Sequence, residues 1–126
     1  MKITVVAPAG EGQLGPSIVS GFLARGHDTT LVGERGLTGG HGVYLRTRRL
    51  RVTRPLIGLA GVQLVDRVAQ HQPDLVVVVK GRFVSTRTVR RLRRATGAVL
   101  VNWCPDDPLY PAFREAAWLQ SLREFD

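Results

Sequence analysis

An α/β fold, a doubly wound, Rossmann-like parallel sheet of about five strands with helices on both faces, is predicted by three features of the chain. Strand-like and helix-like periods alternate along its length. Two runs, "LVVVV" at 75–79 and "AVLVNW" at 98–103, are apolar on successive residues and so need cover on both faces, as buried strands of a parallel sheet do. Glycine, proline and charged residues collect after the strands, at the edge where such sheets bind ligands. Right-handed crossovers then give the strand order 3-2-1-4-5, with 75–79 central.

The elements follow in turn. "KITVVA" (2–7) is the first strand, a glycine-rich loop runs to Gly15, and "PSIVSGFLARG" is a helix opened by Pro16 and closed by Gly26. "HDTTLVG" (27–33) is the second strand and "ERGLTGGHG" (34–42) a loop. "VYLRTRRLRVT" (43–53) alternates apolar and polar residues and fits a third, edge-like strand before Pro55. "GLAGVQLVDRVAQHQ" (58–72) places Leu64, Val65, Val68 and Ala69 on one helical face. After the strand at 75–79, "STRTVRRLRRATG" (85–97) is a helix with Ser85 as N-cap and Gly97 at its end. Val89 and Leu92 face its core side and arginines cover the rest. "AVLVNW" is a further buried strand, last in the order and so expected to leave an uncovered sheet edge. "YPAFREAAWLQSLREF" (110–125) is the final helix, with Trp118, Leu122 and Phe125 spaced i, i+4, i+7. That stripe is expected to stay exposed and to draw the chain into dimers or onto a partner.

Composition bounds the function classes. A chain of 126 residues makes one domain, and its 44% hydrophobic content supplies a packed core rather than a disordered chain. No apolar run approaches the ~20 residues of a membrane span, and "MKITVVAP" lacks the apolar region of a signal peptide. With Cys104 as the single cysteine there is no intrachain disulfide, and the reading is a cytoplasmic protein. The net charge of +8 gathers in "RTRRLRVTR" (46–54) and "RTVRRLRR" (87–94), which attract phosphates in general. Neither cluster interleaves aromatic residues for base stacking, which argues against nucleic acid as the partner.

Several residues carry candidate chemistry. Gly10, Gly12 and Gly15 spell G-x-G-x-x-G between a strand and a helix, and Glu34 ends the second strand near the place of a ribose-binding acid. Pro8 and Ala9 before the motif and Pro16 after it alter the tight turn of a dinucleotide site, so a glycine loop touching any phosphate fits as well. "CPDDP" sets Asp106 and Asp107 side by side, an arrangement that needs a cation, a shared proton or water. Lys80, directly after the strand at 75–79, is within reach as an ion-pair partner or a phosphate ligand. His41, between glycines, is a candidate base or a plain loop residue. His27 and His71 sit at or near helix ends, where capping or solvent accounts for them. Cys104 has no histidine near it in sequence and reads as a small packing residue. A Mg²⁺ ion on the two aspartates would need substrate phosphates to complete its shell, so no metal is assigned. No Walker motif occurs.

Residues 73–108, "PDLVVVVKGRFVSTRTVRRLRRATGAVLVNWCPDDP", follow the order strand, "KG", helix, strand, "NW-x-x-DDP". In this the chain resembles the N-terminal domain of the spore-maturation (CgeB-like) glycosyltransferases. The first strand, its loop, the "GFLARGH" helix and the second strand also fit, as they do for many two-domain glycosyltransferases. The resemblance implies a GT-B architecture, with two Rossmann-like domains across a cleft, the C-terminal one gripping a nucleotide-sugar and this one the acceptor. It implies Asp106 or Asp107 as the group that orients or deprotonates the acceptor hydroxyl, with His41 in reserve. Gly10, Gly12, Gly15, Lys80 and Trp103 would be substrate contacts, and no cofactor is needed beyond the nucleotide-sugar donor. Residues 1–126 would be the acceptor-side half, and the donor half is expected from a further domain or a partner chain, so that this half alone should be inactive. Two other readings stand beside it: an NAD(P)-binding domain of an oxidoreductase, and a non-enzymatic, flavodoxin-like interaction module.

Overall fold

The computed structural model of the chain describes residues 1–9, 13–33, 50–107 and 116–126. In order they form β1 (Lys2–Ala7), α1 (Leu14–Leu23), β2 (Asp28–Gly33), α2 (Leu50–Gln70), β3 (Leu75–Val79), α3 (Thr86–Thr96), β4 (Val99–Trp103) and α4 (Ala116–Ser121), with a 3₁₀ turn at Leu122–Glu124. The four strands make one parallel sheet in the order β2-β1-β3-β4. The fold is the expected Rossmann-like α/β sheet with helices on both faces.

Alternation along the strands builds two cores. Ile3, Val5, Ala7, Val77 and Val79 face one way and meet Ile18, Val19 and Phe22 of α1. Val6, Val76, Val78 and Leu100 face the other and meet Leu64 and Val68 of α2 and Val89 and Leu92 of α3. The five apolar residues of β3 thus divide between two layers, which is why none of them is spaced by a polar residue. Helix α3 has the predicted ends: Ser85 Oγ accepts the Thr88 N–H at 3.2 Å, and Gly97 closes the helix at φ +65°. Close approach of α2 to α3 needs Gly61, because a Cβ there would lie 2.5 Å from Thr88 Oγ1.

Three expectations are corrected. The edge-like strand at 43–53 is not formed over 50–53, which belong to α2, while 43–49 lie outside the described residues; the described sheet has four strands rather than five. Leucine and arginine are good helix formers, and α2 accommodates Pro55 near its start although proline there gives up a backbone bond and crowds the preceding turn. β4 is not buried on both faces: Leu100 is fully buried, but Val99 and Trp103 on the other face are 52% and 43% exposed. β4 ends the strand order, and α1 covers the opposite half of that face. The final stripe is not exposed as a whole either. Trp118 is 1% exposed, Leu122 is half-buried, and Phe125 packs on the core beside α2 and α3. The last residue also covers part of the β4 edge: Asp126 donates its N–H to the Leu100 carbonyl at 2.8 Å and accepts the Leu100 N–H on Oδ2 at 2.9 Å. Together these contacts fold residues 122–126 back onto the domain and cover part of the apolar stripe.

Candidate functional site at the carboxyl edge of the sheet

The chain leaves β1 towards β2 on one side and returns to β3 on the other, so the topological switch point lies between β1 and β3. Two loops flank it. On the β1 side, Pro8 and Ala9 lead towards α1, whose N-cap residue, Gln13, makes no side-chain capping bond and whose first turn holds no acid. Gly15 is buried there: a Cβ would lie 2.4 Å from the Pro8 carbonyl oxygen and 3.1 Å from Leu31 Cδ1. Its lack of a side chain lets the helix start press against the strand end, the packing role of the third glycine in a phosphate-binding turn. Ala9 in turn lies against the end of β2, since a Cβ on Gly33 would lie 2.9 Å from Ala9 Cβ. Gly10, Gly12, Glu34 and His41 lie outside the described residues.

On the β3 side the backbone is strained. Lys80 has φ +62°, the left-handed region that a side chain with Cβ adopts at a cost, and Gly81 follows at φ +64°. The Gly81 N–H donates to the Val79 carbonyl at 2.8 Å, closing a three-residue turn around Lys80. Neighbouring strand residues hold it there: the Lys80 N–H donates to the Trp103 carbonyl at 2.9 Å, and Asn102 Nδ2 donates to the Lys80 carbonyl at 3.3 Å. Strain of this kind persists where surrounding contacts over-determine it, and it is common at functional edges.

The turn carries the Lys80 ammonium to Asp106, with Nζ 2.7 Å from Oδ2. Arg82 Nη2 stands 3.9 Å from the same oxygen, and its guanidinium lies over the Trp118 ring, 5.8 Å from the centroid. The hydrogen bond from Lys80, then the charges of Lys80 and Arg82, hold the Asp106 carboxyl below the usual carboxylate range against the opposing effect of desolvation. Cys104 is half-buried, and its thiol donates to the Asp106 carbonyl at 3.1 Å, so it packs the turn, as its sequence context suggests. Asp107 is exposed beside Asp106, and Trp103, nearly half exposed, ends β4.

The structure therefore joins Lys80 to Asp106 and brackets them with Asp107 and Trp103, and it sets Gly15 at the base of the neighbouring loop. Sequence reasoning missed Arg82 and Trp118 as supports of this edge. "KGRF" offered Arg82 as a signal, but its stacking on a residue 36 positions later has no local trace. Among the described residues, no three of His, Cys, Asp and Glu gather closely enough to hold a metal ion, and no helix is long and apolar enough to cross a membrane. Comparison with protein families, with characterised proteins and with solved structures finds no match to this chain.

Proposed function

We propose that the chain is the acceptor-side, Rossmann-like domain of a glycosyltransferase that moves a sugar from a nucleotide-sugar to an acceptor hydroxyl, working across a cleft with a donor-binding domain. The observation that carries the reading is the strained Lys80 turn, which fixes an ammonium, two adjacent carboxylates and a half-exposed indole beside the switch point. The resemblance of residues 73–108 to the spore-maturation enzymes supports the same assignment.

In the reaction the acceptor oxygen attacks the anomeric carbon, its proton passes to a base, and the bond to the departing nucleoside diphosphate breaks. Asp106 is a weakened base because Lys80 grips its anionic form. We assign it to orienting Lys80 and the acceptor, and assign the proton to Asp107, the next residue, with His41 in reserve. Trp103 offers an aromatic face to the sugar. In this scheme the start of α1, at the carboxyl edge of the sheet, offsets diphosphate charge through its backbone N–H groups and helix dipole. No metal is required by this scheme.

Trp103 provides the test, because Trp118 is buried and its emission should be insensitive to a ligand at the edge. With the donor-binding domain present, nucleotide-sugars should quench the fluorescence of the wild type by more than that of Trp103→Phe. Quenching by NAD or NADP with no response to any nucleotide-sugar would replace this reading with the oxidoreductase domain, and silence towards both would leave an interaction module.

A further inference from the structure

Helix α3 carries Arg87, Arg90, Arg91, Arg93 and Arg94 and no acid in its sequence. Two of these charges are answered by the chain end. Arg90 donates Nε and Nη2 to the Glu124 carboxylate at 3.0 and 2.7 Å, and Arg93 donates Nη1 to Asp126 at 2.9 Å. The other three recur at i, i+4 and i+7 and form one stripe. Among the described residues Arg87, Arg91 and Arg94 make no hydrogen bond or ion pair through their side chains.

The stripe lines a hollow. Thr86, Arg87, Arg90, Arg91 and Arg94 border an open groove of about 480 Å³, with no carboxylate among the described residues that line it. Arg91 and Arg94 also line an adjoining space of about 400 Å³ against Val62, Val65 and Asp66 of α2. Among the described residues Asp66 is the acid that lines this space, and it makes no ion pair with either arginine, so negative charge stands at one end of the stripe and positive charge along the rest. Like charges at i, i+4 repel each other, and the first turn of α3 adds a positive helix end with no acid to offset it. Guanidinium groups are weakly hydrated and meet phosphate oxygens two at a time. None of these residues belongs to the Lys80–Asp106 site.

We infer that this hollow binds a phosphate-bearing anion of two or more negative charges, held by Arg87, Arg91 and Arg94. Arg90, engaged by Glu124, forms its wall. The inference is independent of the glycosyltransferase reading and survives its failure.

Calorimetric titration with tripolyphosphate, at about 50 and about 200 mM salt, tests it. The wild type should bind, more weakly at the higher salt. Arg91→Gln with Arg94→Gln should lower the affinity at least about tenfold, as loss of two charge-assisted forks requires. Arg25→Gln, which removes the same kind of charge beyond the end of α1, should leave it within about twofold. Thermal melts confirm that these surface variants fold. Pelleting with phosphatidylcholine vesicles containing phosphatidic acid, lost in the same double variant, would identify the phosphate as a lipid headgroup; tripolyphosphate binding without pelleting would identify a soluble anion. Absence of wild-type binding in both arms, equal weakening by Arg25→Gln, or tighter binding of a single-stranded oligonucleotide through the same arginines would overturn the inference.

Discussion

Replacing Gly61 by alanine should destabilise the fold, although alanine is the better helix former. An added Cβ at Gly61 would lie 2.5 Å from Thr88 Oγ1 and 3.5 Å from Thr88 Cγ2. Thr88 is buried, and its hydroxyl is 3.0 Å from Ser85 Oγ, the atom that caps α3, so it cannot swing aside without disturbing the cap. Overpacking of this kind costs about 1–3 kcal/mol. A disturbed N-cap adds about 1 kcal/mol. Gain in helix propensity returns about 1 kcal/mol. The net is a loss of about 1–3 kcal/mol, or a fall in Tm of roughly 4–12 °C for a domain of this size. Gly58, one turn earlier in α2, has nothing within 4 Å of its missing Cβ, so alanine there should raise stability by up to about 1 kcal/mol. Calorimetric or circular-dichroism melts of the two variants separate packing from propensity, since both make the same chemical change on one helix. If Gly61→Ala stabilised the protein as much as Gly58→Ala, the close approach of α2 to α3 would be refuted.

Trp118→Ala should cost about 3–5 kcal/mol in urea unfolding, because a fully buried indole and its stacking with Arg82 are removed together. In β4, Leu100→Ala should cost about 2–5 kcal/mol and Val99→Ala under about 1 kcal/mol; equal effects would contradict the register. The carboxyls of Asp106, Glu124 and Asp126 all lie below their ordinary range, for Asp126 first because of the Leu100 N–H and then Arg93. Their stabilisation is therefore complete above the unfolded carboxylate values of about 3.9–4.3 and lost as pH falls through the lower folded ones. Asp126→Asn should flatten that acid limb, with the variant and wild type converging at the lowest pH and differing most above about pH 5; parallel curves would exclude the Asp126 contacts. In an active two-domain protein, Asp107→Asn should reduce turnover by about 10²-fold with the melting temperature unchanged. Full activity would leave "DDP" as a turn.

Local chemistry determined much of this molecule. The limits of β3 and the two caps of α3 lie where the residues put them, because five apolar neighbours, a Ser-x-x-Thr start and a terminal glycine act through contacts within a few positions. The order β2-β1-β3-β4 follows from alternation and crossover handedness, and pairing of Lys80 with the DDP turn was among the readings the sequence offered. Tertiary structure decided the rest. That residues 50–53 join a helix and not a strand is not legible in the sequence, since a short alternating run of Leu, Arg and Val suits either. The periodicity of the last helix marks an apolar stripe but not what covers it, and only the folded chain shows Trp118 inside and Asp126 on the β4 edge. The same holds for charge: five arginines on α3 look equivalent in sequence, and the return of Glu124 and Asp126 to Arg90 and Arg93 is what leaves Arg87, Arg91 and Arg94 as a separate stripe. Such contacts join residues some 30 positions apart, beyond the reach of any local pattern.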